Sequence, residues 1–308
     1  MQKYYSNGKL LISGEYLVLD GAISLALPTV YGQSLEVFSS DNKSIFWKSY
    51  TVEKECWFQA EFGFEDFEII RCTSLKDDGN RIANTLQEIL IAAKNLNPNF
   101  LKDSEGLEVR TSLDFPNHWG LGTSSTLINN IALWANIDAF ELLENSFGGS
   151  GYDIACAQNN QAITYQREKG HKVITTVDFS PEFKEELFFV YLNQKQDSKE
   201  GINMYRSLET SKEPFIEVID DLTRRLVHAK TIKEFSELLN KHEALVAKLL
   251  ETQTVKAKLF ENFKGSIKSL GAWGGDFVLV TGKREYVFSY FEAKGYETIL
   301  SYQDLILS

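Results

Sequence analysis

The spacing of apolar residues changes character along this chain. Leu10–Ile12, Leu35–Phe38, Ile45–Lys48, Thr51–Phe58 and Phe67–Ile70 are short β-branched or aromatic runs separated by Gly, Asn, Asp and Ser, and they predict strands. Over Ile82–Leu96 the residues Ile82, Leu86, Ile89, Leu90 and Ala93 fall on one face at helical spacing. Leu107–Leu113 alternates as a strand does. It leads into an Asp114–Trp119 loop, then a glycine loop, then an apolar helical run through Leu127, Ile128, Ile131, Trp134 and Ala135. Farther on, Ile154–Gln158 predicts a short helical turn, with strands near Ala162–Tyr165 and Val173–Val177. The polar segment Asp178–Glu186, which holds Pro181, is the candidate domain junction. One strand follows at Leu187–Leu192, then helices at Glu200–Leu208, Phe215–His228 and Ile232–Leu250. A strand at Phe277–Thr281, a helix at Glu285–Lys294 and a strand near Glu297–Tyr302 complete the pattern. A β-rich part followed by a helix-rich part implies an α+β protein of two domains, 1–180 and 181–308.

Composition narrows the function classes. With 308 residues, 43% of them apolar, the chain can bury a sizeable core. A net charge of -11 argues against nucleic acid or an anionic membrane as a bulk-charge partner, but leaves room for a local cationic pocket. Cys56, Cys72 and Cys156 are too few and too scattered for a disulfide framework and fit a reduced compartment. His118, His171, His228 and His242 lack metal-ligand spacing, so a zinc site is not expected. The apolar run near the N-terminus is short and broken by Gly14 and Glu15, and no apolar stretch reaches the ~20 residues that span a bilayer. The expectation is a cytoplasmic protein, monomeric or homodimeric.

The candidate chemistry lies in three glycine loops and an early lysine. Gly120-Leu121-Gly122-Thr123-Ser124-Ser125-Thr126 sits between a predicted strand and a predicted helix. Its glycines allow close approach of a bulky anion, its hydroxyl residues are suited to capping the helix, and a helix start favours phosphate. The spacing is not that of a Walker A loop, so a lysine must come from elsewhere, and Lys9 is one candidate. The hydroxyls of Thr123, Ser124 and Ser125 are also possible oxygen ligands for Mg²⁺. In the second loop, Gly148–Asp153, the aspartate is either a cap for a helix beginning at Ile154 or a carboxylate at a phosphate site. The third, Gly271–Asp276, precedes an apolar strand and in isolation reads as a surface turn.

Taken as a set, these segments resemble the motifs of the GHMP family of small-molecule kinases. Lys9–Leu19 is similar to the first motif, Gly120–Thr126 to the second, and Ser266–Asp276 to the third, in the family order and across nearly the whole chain. Gly14-Glu15-Tyr16 is closer to phosphomevalonate kinases, because mevalonate kinases usually carry His where Tyr16 stands. Gly149–Ala155 and Gly274-Gly275-Asp276 point the same way. Trp273 departs from the pattern by placing an indole where a small residue is usual.

The resemblance implies a ribosomal S5 domain 2-like N-terminal domain, a ferredoxin-like C-terminal domain and a site in the cleft. It implies transfer of the ATP γ-phosphoryl group to a small metabolite, mevalonate or phosphomevalonate, in the isoprenoid precursor pathway. The cofactors implied are ATP and Mg²⁺, and the partner is a small-molecule substrate. Asp153 and Lys9 would be catalytic and adjacent, with Asp153 a base or an orienting group. Gly120, Leu121, Gly122, Thr123, Ser124 and Ser125 would bind ATP, and Glu15, Tyr16, Ser150, Gly151, Gly274 and Gly275 the substrate. Mg²⁺ would take Ser124 and a carboxylate, Glu144 or else Glu141. A phosphorylated acceptor asks for further cations, with Arg81, Arg110, Lys195 and Arg206 as candidates. The alternatives are a kinase for a sugar or an amino-acid alcohol, and a non-catalytic binding protein on the same fold.

Overall fold

The computed structural model describes residues 1–75, 78–168, 170–194 and 198–307. The chain opens with strands β1 (Gln2–Ser13), β2 (Ser24–Ser39), β3 (Ile45–Tyr50), β4 (Cys56–Phe62) and β5 (Ile69–Ser74), then helix α1 (Gly79–Leu96) and strand β6 (Leu107–Leu113). Helices α2 (Thr123–Ala135), α3 (Ala139–Glu144) and α4 (Tyr152–Ala157) follow, then β7 (Ile163–Glu168), β8 (His171–Thr176) and β9 (Leu187–Tyr191). The remainder is α5 (Ser198–Arg206), α6 (Glu213–His228), α7 (Ile232–Leu249), α8 (Val255–Leu259), β10 (Ile267–Ser269), β11 (Phe277–Thr281), α9 (Arg284–Glu292), β12 (Ile299–Ser301) and α10 (Tyr302–Leu305). The mixed α and β content matches the α+β expectation. No helix among the described residues is long and apolar enough to cross a membrane.

Two compact units divide the chain. The first comprises Met1–Gly8, Tyr31–Asn117 and Gly122–Gln158. Its sheet runs in the order β5-β4-β3-β6-β2. The pairing of β3 with β6 is parallel, whereas β6 with β2, β3 with β4 and β4 with β5 are antiparallel. Alternation sets the faces: in β6, Val109, Thr111 and Leu113 are buried while Arg110 faces out. Helix α1 buries Leu86, Ile89, Leu90 and Ala93 of the expected stripe together with Ala83 and Ala92, leaves Ile82 half-buried, and packs on β5. Helix α2 packs against α1, α3 and α4, and Trp134 meets Phe100 edge to face at 4.8 Å.

The second unit comprises Lys9–Val30, His118–Leu121 and Asn159–Ser308. In it the first part of β2 pairs with β7, and β7 with β8. A separate antiparallel sheet has the order β10-β11-β9-β12. Phe188, Val190, Phe260, Phe263, Val278, Val280, Val287 and Phe291 form a core on this sheet. The polar segment around Pro181 lies inside this unit.

Several elements differ from the sequence expectation for local reasons. The strand expected from Thr51 begins at Cys56, because Thr51 donates its N–H to Glu55 O and Lys54 turns back to Thr51 O with φ at 64°. Helices α3 and α8 and strand β10 were not anticipated. Asp138 caps α3 by accepting from Phe140 and Glu141, and Thr254 caps α8 by accepting from Ala257. No disulfide joins Cys56, Cys72 and Cys156.

Candidate active site

The first unit carries Gly122, Thr123, Ser124, Ser125, Glu144, Ser150, Gly151 and Asp153. Gly122 is the N-cap residue of α2, in the left-handed region at φ 94°, and no side chain caps the helix. This departs from the expected hydroxyl cap. The Ser125 hydroxyl donates to Gly122 O at 2.9 Å, and the buried Thr126 hydroxyl donates to the Gln33 side-chain carbonyl at 2.7 Å. Both hydroxyls therefore serve carbonyls, and the helix start keeps its partial positive charge. No hydrogen bond among the described residues uses the hydroxyls of Thr123 or Ser124, and Ser124 is exposed.

A buried polar network holds α2 in place. Asn129 donates to the Ser6 hydroxyl and Ser6 donates to Asn130, each at 2.8 Å. Asn130 donates to Gln33 O, and Gln158 donates to the Asn129 side-chain carbonyl, each at 2.9 Å. Such a network fixes direction as well as depth, which an apolar face alone does not.

Asp153 lies in the first turn of α4, one position inside it. The helix begins at Tyr152 with Gly151 as N-cap at φ 91°, so the aspartate is not the cap. Ser150 is buried, while Gly148 and Gly149 have open space where a Cβ would sit. Glu144 ends α3 and is exposed, as is Glu141. Among the described residues no three or more His, Cys, Asp or Glu side chains gather as a metal site.

The second unit carries Lys9, Glu15, Tyr16, Gly120, Leu121, Gly274 and Gly275. Lys9 is joined to the second motif twice: its backbone N–H donates to Leu121 O at 3.0 Å and its ammonium to Gly120 O at 3.3 Å. Leu121 has its side chain in the core. At Gly120 a Cβ would lie 2.1 Å from Asp276 Oδ2, and φ is +68°. Only glycine satisfies both conditions, so the second and third motifs touch at this residue.

Glu15 is 1% exposed, and its Oε1 accepts from the equally buried Lys268 ammonium. Tyr16 sits at φ 60°, stacks on Tyr205 with centroids 5.6 Å apart, and accepts the Trp273 backbone N–H at 2.9 Å. Burial pushes the Tyr16 phenol above its ordinary range, against the pull of that N–H. Tyr205 in turn donates to Asp20. The Trp273 indole is half-buried, and Gly274 leaves open space where a side chain would be. Sequence reasoning missed Lys268, His242, Glu243 and Tyr205.

The candidate cations divide by their partners. Arg81 pairs with Asp78 at 3.6 Å, and Arg110 donates to Glu108 at 2.7 Å while lying over the Phe38 ring. Arg206 is exposed at the end of α5. Lys195 lies outside the described residues.

No protein-family model and no curated protein matches this sequence. Solved structures do. A mevalonate kinase from L. major, solved with R-mevalonate, superposes with a TM-score of 0.67 at 15% identity, covering 98% of this chain and 95% of its own. Phosphomevalonate kinase from Streptococcus pneumoniae, solved with phosphomevalonate and AMPPNP, gives 0.68 at 16% identity, with 98% and 100% covered. The fold is that of the GHMP kinases. Galactokinase from Lactococcus lactis, solved with galactose, gives 0.64 at 14% identity, with 99% and 93% covered. The GHMP fold thus spans nearly the whole chain, and it is shared by kinases for chemically different acceptors.

Proposed function

We propose that this chain is an ATP-dependent small-molecule kinase, acting on mevalonate or phosphomevalonate. The observation that carries the reading is the start of α2: a glycine N-cap in the left-handed region, no side-chain cap, and an exposed Ser124. Such a helix end binds phosphate through backbone N–H groups.

The residues present fit ATP and Mg²⁺. Gly120, Leu121, Gly122, Thr123, Ser124 and Ser125 would follow the phosphates. The Ser124 hydroxyl and the Glu144 carboxylate offer hard oxygen ligands, suited to an ion that keeps waters and phosphate oxygens in its shell. Mg²⁺ there would supply charge neutralisation for the transferring group. Asp153 would orient the acceptor, and for a hydroxyl acceptor would take its proton on a carboxylate oxygen. Lys9 would stabilise developing negative charge. Tyr16, Ser150, Gly151, Gly274 and Gly275 are assigned to the acceptor side, with Glu15 acting through Lys268.

A second reading, a sugar kinase, is favoured by the galactokinase likeness. The deciding experiment is Mg²⁺-dependent ADP release from ATP with mevalonate, 5-phosphomevalonate, galactose and homoserine in parallel. Asp153→Asn is the control. Turnover on one acceptor, reduced in the variant, establishes the kinase and its acceptor class. Turnover on galactose alone replaces the mevalonate reading. No turnover on any, with ATP bound, overturns the proposed acceptors.

A further inference from the structure

Two adjacent residues of α7 hold the backbones of two glycine motifs. Nε2 of His242 accepts the Gly14 N–H at 3.0 Å. Oε2 of Glu243 accepts the Ser269 N–H at 3.2 Å. Successive helical residues point about 100° apart, so neighbours on one helix can reach two separate segments. Lys268 closes the arrangement by donating to Glu15 and, at 2.8 Å, to Ser269 O. From α6, Asp220 accepts the Ile23 N–H at 2.7 Å and the Thr223 hydroxyl donates to Ile23 O at 3.1 Å. The Thr223 hydroxyl also meets that of Ser13 at 2.8 Å.

The protonation of this group follows from its geometry. Since His242 Nε2 accepts from Gly14, it carries no proton, and the imidazole is neutral with its hydrogen on Nδ1. Its 3.4 Å approach to Glu15 Oε2 is therefore not an ion pair. Burial, with Lys268 adding to it, holds the imidazole pKa well below the ordinary value.

Glu15, His242, Glu243 and Lys268 are all at most 2% exposed. Among the described residues, Glu15 Oε2, His242 Nδ1, Glu243 Oε1 and Ser269 Oγ have no hydrogen-bond partner. Apolar residues of similar volume usually serve stability as well as a buried charged cluster or better, so stability alone does not account for this one. What the cluster does is fix two backbones at one spacing. We propose that His242 and Glu243 are positioning residues for the acceptor side of the site, clamping the Gly14–Tyr16 turn to the strand that leads into the Gly271–Asp276 loop. This rests on the kinase reading for its kinetic consequence. The α2 start is held by its own network and is not part of the clamp.

The test compares His242→Leu and Glu243→Leu with His242→Gln and Glu243→Gln, whose carbonyls can still accept. Amide exchange at Gly14 should rise about tenfold or more in His242→Leu, and likewise at Ser269 in Glu243→Leu. The Gln variants should stay within about threefold of wild type. In steady state, kcat should fall about tenfold or more and the acceptor KM rise in the Leu variants, with the ATP KM held within about twofold. Glutamine should restore both. Where a Leu variant does not fold, His242→Asn, too short to reach Gly14, takes its place. Unchanged exchange at Gly14 and Ser269, or equal movement of both KM values, overturns the clamp. A wild-type protein that turns over none of the acceptors overturns the proposed acceptors, while amide exchange still decides the clamp.

Discussion

The Tyr16 hydroxyl accepts the backbone N–H of Trp273 across 257 positions of sequence, joining the first motif to the third. Tyr16 holds an unfavourable positive φ to make this bond, and its ring is braced on Tyr205. Tyr16→Phe keeps the stack and removes the acceptor. We expect a loss of about 1–2 kcal/mol in denaturant unfolding, from a part-buried N–H left unmatched. The acceptor KM should rise with little change in the ATP KM. An unaltered unfolding midpoint would show that Trp273 finds another partner.

Gly120→Ala should be far more damaging than an exposed Gly→Ala change. The new methyl would sit 2.1 Å from Asp276 Oδ2 on a residue at φ +68°. A loss of about 2 kcal/mol or more is expected, with weaker ATP binding. Gly148→Ala is the comparison: its φ is +70° but nothing lies within 4 Å, so only the backbone term remains. Calorimetric unfolding of both variants measures the difference; equal losses would remove the contact with Asp276 as a cause.

Glu243 makes stability pH-dependent in an unusual direction. Burial, reinforced by Glu15 and opposed by Lys268, raises its carboxyl from 4.5 to about 7. The folded state then binds this proton more tightly than the unfolded one. The contribution is full below pH 4.5 and is lost as pH rises through 7, amounting to at most about 3 kcal/mol. Glu243→Gln removes the titration. Relative to wild type it should gain stability from pH 5 to about pH 7 and level off by pH 8, as read by urea unfolding at each pH. A constant difference across that range would mean the carboxyl does not titrate there.

Asp153→Asn separates the two proposed acceptor chemistries. A hydroxyl nucleophile needs its proton removed, so kcat should fall by about 10²–10⁴. A phosphate-monoester acceptor is largely ionised above pH ~6 and asks Asp153 only to orient it, so the fall should be smaller. Measuring kcat for the variant from pH 6 to pH 8 on the active acceptor distinguishes them. Near wild-type kcat on either acceptor would take Asp153 out of the mechanism.

Strong local patterns made much of the fold legible. Leu107–Leu113 and Phe277–Thr281 are strands with the expected bounds, and α1 presents the apolar stripe read from Ile82 onward. Short polar-flanked pieces were harder. Helix α3 has only six residues, and its one signal was Asp138 at the cap. Strand β10 is three residues long with Lys268 in the middle, which reads as surface. The glycine loops were legible because positive φ and close approach demand glycine. The Glu15–Lys268 pair was not, since it joins residues 253 apart and charged side chains ordinarily face water. One clue was present: His242 continues the buried stripe Phe235, Leu238, Leu239, Val246 at helical spacing.

The uncapped start of α2 also bears on how firmly the protein is built when empty. Relative to glycine, a capping side chain there would add roughly a few tenths of a kcal/mol of permanent stability. With glycine in that place the first N–H groups of α2 stay available, and a bound anion would supply what a side chain does not. Whatever binds there acts as an added structural part, and the melting temperature should climb with its concentration. The folded population of this chain would then track the supply of its own ligand.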